Sequence, residues 1–358
     1  MKSELFYSIV MMAVGGLLIY LAIKKKMEPT LLLPMGFGAI LVNIPNSTIA
    51  SSGILAWLYN FGIADHEVFP LLLFIGIGAM IDFGPLLSKP WLLLIGIVSQ
   101  GGIFITMLIA SLFFPINDAA SIGIIGAADG PTAIFVSMKL QSAFIAPILI
   151  VAYSYMALVP IIQPVVLKAM TTRKEREIEM QYSSKVVSTR ARILFPIITT
   201  IISGFIAPES IALVGMLMFG NLLRECQVLG QLQRAAENIL SPLISLLLGL
   251  AIAPKLNGPE ILRIETLMIM GFGLLAFIFD TVCGVLFLKI VNIFLKKKIN
   301  PLIGGAGISA FPMSSRVVEK VGLEANKQNH LLYYALGANV SGQIASVIAG
   351  GLLLHFLL

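Results

Sequence analysis

The stretch "GIIGAADGPTAIFVS", residues 123 to 137, sets a carboxylate, Asp129, beside Gly130-Pro131 in otherwise apolar surroundings, with the Thr132 hydroxyl next in line. Near the middle of a bilayer such a carboxylate costs about 2.5 to 3.5 kcal/mol even on insertion scales, so it must face a partner or a cavity. The Gly-Pro pair breaks a helix at that point and frees backbone carbonyls, which lipid does not tolerate but a bound ion satisfies. One negative charge, several oxygens and no soft donor suit a hard cation such as Na⁺. The competing reading is a packing kink whose acid pairs with a Lys or Arg.

A second interrupted stretch, "NPLIGGAGISAFPMSSR", supplies Asn300, Ser309, Ser314 and Ser315 and ends in Arg316. Neutral oxygens can complete an ion shell without adding charge. Arg316 can read an anion with two parallel donors, or serve only as a charged anchor at the membrane edge. "LGANVSGQIAS" adds Asn339, Ser341 and Ser346 on a glycine-loosened segment that could equally be a small-residue packing face. Tyr155, within "VAYSYMALVP", offers a phenol for hydrogen bonding or proton transfer. Asp280, in "FIFDTVCGV" with Thr281 beside it, is a further intramembrane acid without a Gly-Pro break, and Asp82 reads as a helix-end residue near water.

The elements that must hold these groups are membrane helices. Of 358 residues, 58% are hydrophobic and 12% charged, about half the charge of a soluble domain. Apolar spans are expected at 6–23, 30–45, 68–83, 91–115, 142–168, 191–206, 208–222, 239–254, 264–295 and 328–358. The first ends at Lys24-Lys25-Lys26 without a cleavage site and reads as a retained helix. The net charge of +6 sits in short loops beside apolar segments, as the positive-inside rule places it, and basic patches interleaved with aromatics are absent, so nucleic acid is not expected. Cys226 and Cys283, like His66, His330 and His355, match no metal spacing.

Placing Lys24 to Lys26 and the basic 168–192 loop on the cytoplasmic side is consistent only if 119–138 enters and leaves from outside, as a re-entrant element. The same count makes 303–318 re-enter from the cytoplasm, so the two elements point at each other. The halves also compare: "PTLLLPMGFG" with "PESIALVGMLMFG", "LLFIGIGAMIDFGPLL" with "SLLLGLAIAPKLNGPEIL", and "GAADGP" with "GISAFP". The expected fold is an all-α polytopic membrane protein, an inverted-repeat transporter-like helix bundle with about ten spanning helices and two re-entrant or broken elements. Residues 1–170 form the first repeat, 171–190 a basic cytoplasmic linker and 191–358 the second repeat.

"GIIGAADGPTAIF", "VAYSYMALVP", "NPLIGGAGISAFPMSSRVVEKVG" and "LGANVSGQIAS" closely resemble the β subunit of the biotin-dependent sodium-pumping decarboxylases, over nearly the whole chain. The resemblance implies a multi-pass subunit of a prokaryotic cell membrane that decarboxylates carboxybiotin and couples this to Na⁺ export, consuming a proton. It implies carboxyltransferase, biotin carrier and small membrane-anchor subunits as partners, allows a homo-oligomer, and leaves biotin on the carrier. Carried over residue by residue, the sodium-linked aspartate is Asp129, the functional tyrosine is Tyr155, and the remaining positions are Asn300, Gly304, Ser309, Arg316 and Asn339, with the Thr132 hydroxyl beside Asp129. Tyr155 and Ser309 are then expected on a proton path and Arg316 at the anionic carboxybiotin. Ala127 stands where the family pattern has glycine, which removes no oxygen ligand. "SMKL" at 137–140 superficially resembles a biotinylation tetrapeptide but follows a membrane element where no carrier hairpin can form. The rival class is a Na⁺-coupled secondary transporter, symporter or Na⁺/H⁺ exchanger, with the same architecture and no chemistry.

Overall fold

The computed structural model describes residues 2–24, 26, 28–65, 67–180, 187–256, 258–261 and 263–358. Residues 181–186 of the linker, Lys25 and His66 lie outside this set. Among the described residues the chain is helical throughout, without a strand.

Among the described residues six helices are long and apolar enough to cross a membrane, and two bent pairs raise the number to eight if each is one span. The expectation of ten spans is not met by length: Pro29–Val42 has 14 residues and Ile211–Glu225 has 15. The stretch Ile54–Ala64 joins the next span, Val68–Met80, as one bent pair. The other bent pair, Ile145–Met156 and Leu158–Met170, turns through 67°. Pro160 explains that bend, because its missing N–H leaves the Met156 carbonyl without its helical donor.

Close approach between helices depends on glycine, as expected where lipid supplies no hydrophobic drive between helices. A Cβ on Gly78 would lie 1.9 Å from the Leu217 carbonyl oxygen, and one on Gly220 would lie 2.0 Å from that of Ile75. Val68–Met80 and Ile211–Glu225 therefore meet backbone to backbone. Ion pairs tie the 168–192 region to other elements: Lys168 with Glu324 at 2.7 Å, Lys289 with Glu175 at 3.2 Å and Arg192 with Asp82 at 3.5 Å. Lys139, the lysine of the "SMKL" stretch, pairs with Glu67 at 3.4 Å.

Candidate cation site between two hairpin tips

The Asp129 segment is a hairpin. It runs as an α-helix Ile116–Gly123, a 3₁₀ turn Ile124–Ala127, a break at Ala128 and Asp129, and a second helix Gly130–Lys139. Its ends lie together: Asn117 Nδ2 donates to the Leu140 carbonyl at 3.3 Å, and Asp118 Oδ1 accepts from Ser142 Oγ at 2.7 Å and the Ala143 amide at 2.9 Å. Ala128 takes the left-handed conformation, φ 53°, and Asp129 is extended, which turns the chain sharply enough to place the carboxylate at the tip. Gly130-Pro131 opens the outgoing helix, so its role differs from simple exposure of carbonyls. Proline in the first turn sits where no helical donor is needed.

The second interrupted element is also a hairpin. The 3₁₀ segment Pro301–Gly307 leads through residues 308–312 into the helix Met313–Ala325. Ser314 Oγ donates back to the Gly305 carbonyl at 3.0 Å, and Gln163 Nε2 clamps both, at 2.7 Å to Gly305 O and 2.9 Å to Ser314 Oγ. The two tips meet where the Ser309 amide donates to the Ala127 carbonyl at 3.0 Å.

Asp129 is 4% exposed. Three neutral donors converge on its Oδ2: Thr132 Oγ1 at 2.7 Å, Gln343 Nε2 at 2.9 Å and Ser346 Oγ at 3.4 Å. No Lys, Arg or His pairs with it among the described residues, so the paired-kink alternative finds no support there. The N-terminus of Gly130–Lys139 favours negative charge at this position. A cavity of about 300 Å³ reaches Asp129, and Ser309, Gln343, Tyr153 and Phe311 also line it. Hydroxyls can rotate and an amide can turn its oxygen inward, so this shell has oxygens to offer a hard cation.

Of the candidate residues, the structure brings Asp129, Thr132, Ser309 and Ser346 to this point. Asn339 is one step removed: its Nδ2 donates to the Ile308 carbonyl at 2.6 Å, beside Ser309, and its buried Oδ1 has no partner among the described residues. Asn300 stands elsewhere, holding the linker through donation to the Arg176 and Ile178 carbonyls at 3.0 and 2.9 Å while its Oδ1 accepts the Leu302 amide at 3.0 Å. Gly304 is a packing position, since a Cβ there would lie 2.1 Å from the Gly284 carbonyl oxygen. Tyr155 donates to the Met270 carbonyl at 2.5 Å and does not line the cavity. Arg316 is exposed on a separate groove with Glu319, Lys320 and Glu324. Asp280 is fully buried, and its Oδ1 accepts the Ile103 amide at 3.0 Å, next to the junction of helices Leu92–Ser99 and Gly101–Ala110.

Two residues here escape motif reading. Tyr153, not Tyr155, touches the Asp129 turn: a Cβ on Gly130 would lie 2.1 Å from the Tyr153 ring. Gln343 falls four residues after Asn339 and three before Ser346 on helix Leu332–Leu357. That spacing puts the three on one helical face and was a signal available in the sequence.

A family model described as "Na+-transporting oxaloacetate decarboxylase beta subunit" matches residues 7–357. The methylmalonyl-CoA decarboxylase subunit beta of Propionigenium modestum is 46% identical over 375 residues, covering 97% of this chain and 94% of that protein. The oxaloacetate decarboxylase beta chain of Klebsiella pneumoniae is 41% identical over 412 residues, covering 98% and 95%. The methylmalonyl-CoA decarboxylase subunit beta of Veillonella parvula is 44% identical over 349 residues, covering 97% and 92%. With apolar helices suited to a membrane and a match running almost from end to end, this chain belongs to the beta subunit family of the Na⁺-transporting decarboxylases.

Proposed function

We propose that this subunit decarboxylates carboxybiotin presented by a partner carrier and couples the reaction to Na⁺ export, with Asp129 as the anionic cation ligand. The observation that carries the reading is a buried carboxylate held only by neutral donors, at the end of a cavity and between two hairpin tips. Na⁺ is cargo here. Thr132 and Ser346 turn hydroxyl oxygens to it, Gln343 turns its amide oxygen, and Ser309 and Asn339 shape the facing tip. Asn300 and Gly304 act from a distance, by fixing the linker and the packing of the second hairpin.

In the chemical step the bond between the ureido nitrogen and the carboxylate carbon breaks. The electron pair stays on nitrogen, which takes a proton, and CO₂ leaves. Arg316 receives the anion at the groove, and Phe311 and Pro312, on the cavity wall, link that groove to the site. Ser309 and Tyr155 serve the proton path. The carboxyltransferase, biotin carrier and small membrane-anchor subunits complete the complex.

The inverted repeat, 1–170 with 119–138 and 191–358 with 303–318, is part of the same reading. Crosswise packing supports it. Pro29–Val42 packs on Ser241–Ile252 while Val68–Met80 packs on Ile211–Glu225, and Ile145–Met170 packs on Ile264–Phe294 while Leu332–Leu357 packs on Leu92–Ser99. Each contact pairs an element of one half with one of the other, as a pseudo-two-fold requires. The test is decarboxylation of free carboxybiotin by the purified complex with and without Na⁺. Na⁺-stimulated CO₂ release supports the pump, whereas solute-driven Na⁺ flux without CO₂ release would assign the chain to the secondary carriers.

A further inference from the structure

Two carboxylates without a role in the proposed chemistry share the cavity with Asp129. Glu28 stands at the N-cap of Pro29–Val42 in the left-handed conformation, φ 37°, and Glu237 lies in the π-helical turn Ala236–Leu240. Both line the cavity and both are half-buried. Glu237 accepts from a neutral group, Gln233 Nε2 at 2.9 Å, and among the described residues it makes no ion pair. Among the described residues, no Lys, Arg or His lines the cavity. Three carboxylates facing one low-dielectric space raise the local concentration of cations.

Acidic residues in proximity would not by themselves make a site. The Tyr153 hydroxyl is the independent sign: it is buried, lines the same cavity and has no hydrogen-bond partner among the described residues. A buried hydroxyl left unpaired costs about 1 to 3 kcal/mol, which an occupant of the cavity would recover. Burial also holds the Glu28 carboxyl above the usual carboxylate range.

The sidedness follows from the chain. Glu28 comes four residues after Lys24, and Glu237 three after Arg234, at span ends that the positive-inside rule places in the cytoplasm. We infer that this cavity is the cytoplasmic access route for a small monovalent cation and that Glu28 and Glu237 recruit the cation toward Asp129. The inference rests on the reading of Asp129 as a cation ligand.

The test uses the whole complex in inverted membrane vesicles, with Cys226 and Cys283 replaced by serine and one reporter, Ser245→Cys, on the cavity wall. Labelling rates are compared for a trimethylammonium and a sulfonate methanethiosulfonate reagent of similar size. At low ionic strength the cationic reagent should react faster by on the order of tenfold. The preference should collapse toward unity in Glu28→Gln/Glu237→Gln and in high salt, where the Debye length falls to about 3 Å at 1 M. Equal rates for the two reagents, or a preference that survives the double substitution, would overturn the inference. Thr30→Cys, also on the wall, repeats the test if the first reporter fails to assemble. Charge preference in the cavity together with normal Na⁺ activation of Asp129→Asn would instead refute the Asp129 reading, so the two fail separately.

Discussion

The amide of Ser309 donates to the carbonyl of Ala127, 3.0 Å away, and this bond joins the tips of the two hairpins. The carbonyl is available because Ala128 is left-handed and Asp129 extended, which ends the helical hydrogen-bonding of the incoming arm at Ala127. The turn that sets the carboxylate at the tip of one hairpin therefore also leaves an acceptor for the other, two residues before Asp129.

Asp129→Asn preserves volume and removes the charge. Thr132, Gln343 and Ser346 can still bond to the amide oxygen, so the hairpin should stay folded while Na⁺ activation is lost. Purified complex that keeps its subunits and no longer responds to Na⁺ is the expected result. Wild-type activation would move the ion to another acid, with Asp280 next to examine.

How far the site could be read beforehand depends on what kind of fact each residue represents. The Asp129 break, the facing tips and the all-helical fold follow from composition, from Gly-Pro placement and from counting charged loops. The number of spans did not follow, because Pro29–Val42 and Ile211–Glu225 are too short to meet the length criterion, and packing of their glycine-rich faces is not visible in a hydropathy pattern. Motif matching also assigned Asn300 and Gly304 to an ion shell. Their types suit that task, but their reach is set by tertiary contacts: the linker carbonyls for Asn300 and the Gly284 backbone for Gly304.

The two tyrosines of "VAYSYMALVP" illustrate the same limit and separate cleanly by experiment. Two residues apart on a helix, they face different neighbours: Tyr155 reaches the Met270 carbonyl, and Tyr153 lies against Gly130. Tyr153→Phe removes no hydrogen bond made by the described residues, so it should shift half-activating Na⁺ while leaving thermal stability intact. Tyr155→Phe should reduce turnover without that shift and lower stability by about 1 kcal/mol. Identical Na⁺ curves and melting curves for the two variants would contradict this division.

Gly304→Ala tests the packing role assigned to that position. The added methyl meets the Gly284 carbonyl at 2.1 Å, and backbone cannot yield as a flexible side chain would. The variant should lose about 1 to 3 kcal/mol of stability in detergent, the usual cost of overpacking, and activity should fall with it. A melting curve like that of the unmodified protein, combined with weakened Na⁺ activation, would return Gly304 to the ion shell.

Arg316 separates chemistry from ion binding. Its guanidinium is exposed on the groove bounded by Glu319 and Glu324, and the helix Met313–Ala325 that carries it begins directly after Pro312 on the cavity wall. Lysine keeps the charge but not the two parallel donors that match a carboxylate. Arg316→Lys should therefore impair carboxybiotin turnover and Arg316→Ala should nearly abolish it, while Na⁺ binding at equilibrium stays close to that of the unmodified protein because the donors around Asp129 lie elsewhere. Isothermal titration with Na⁺ beside a CO₂-release assay resolves the two effects. Full decarboxylation by Arg316→Ala would remove the anion-reading role and leave the residue a charged anchor at the membrane edge.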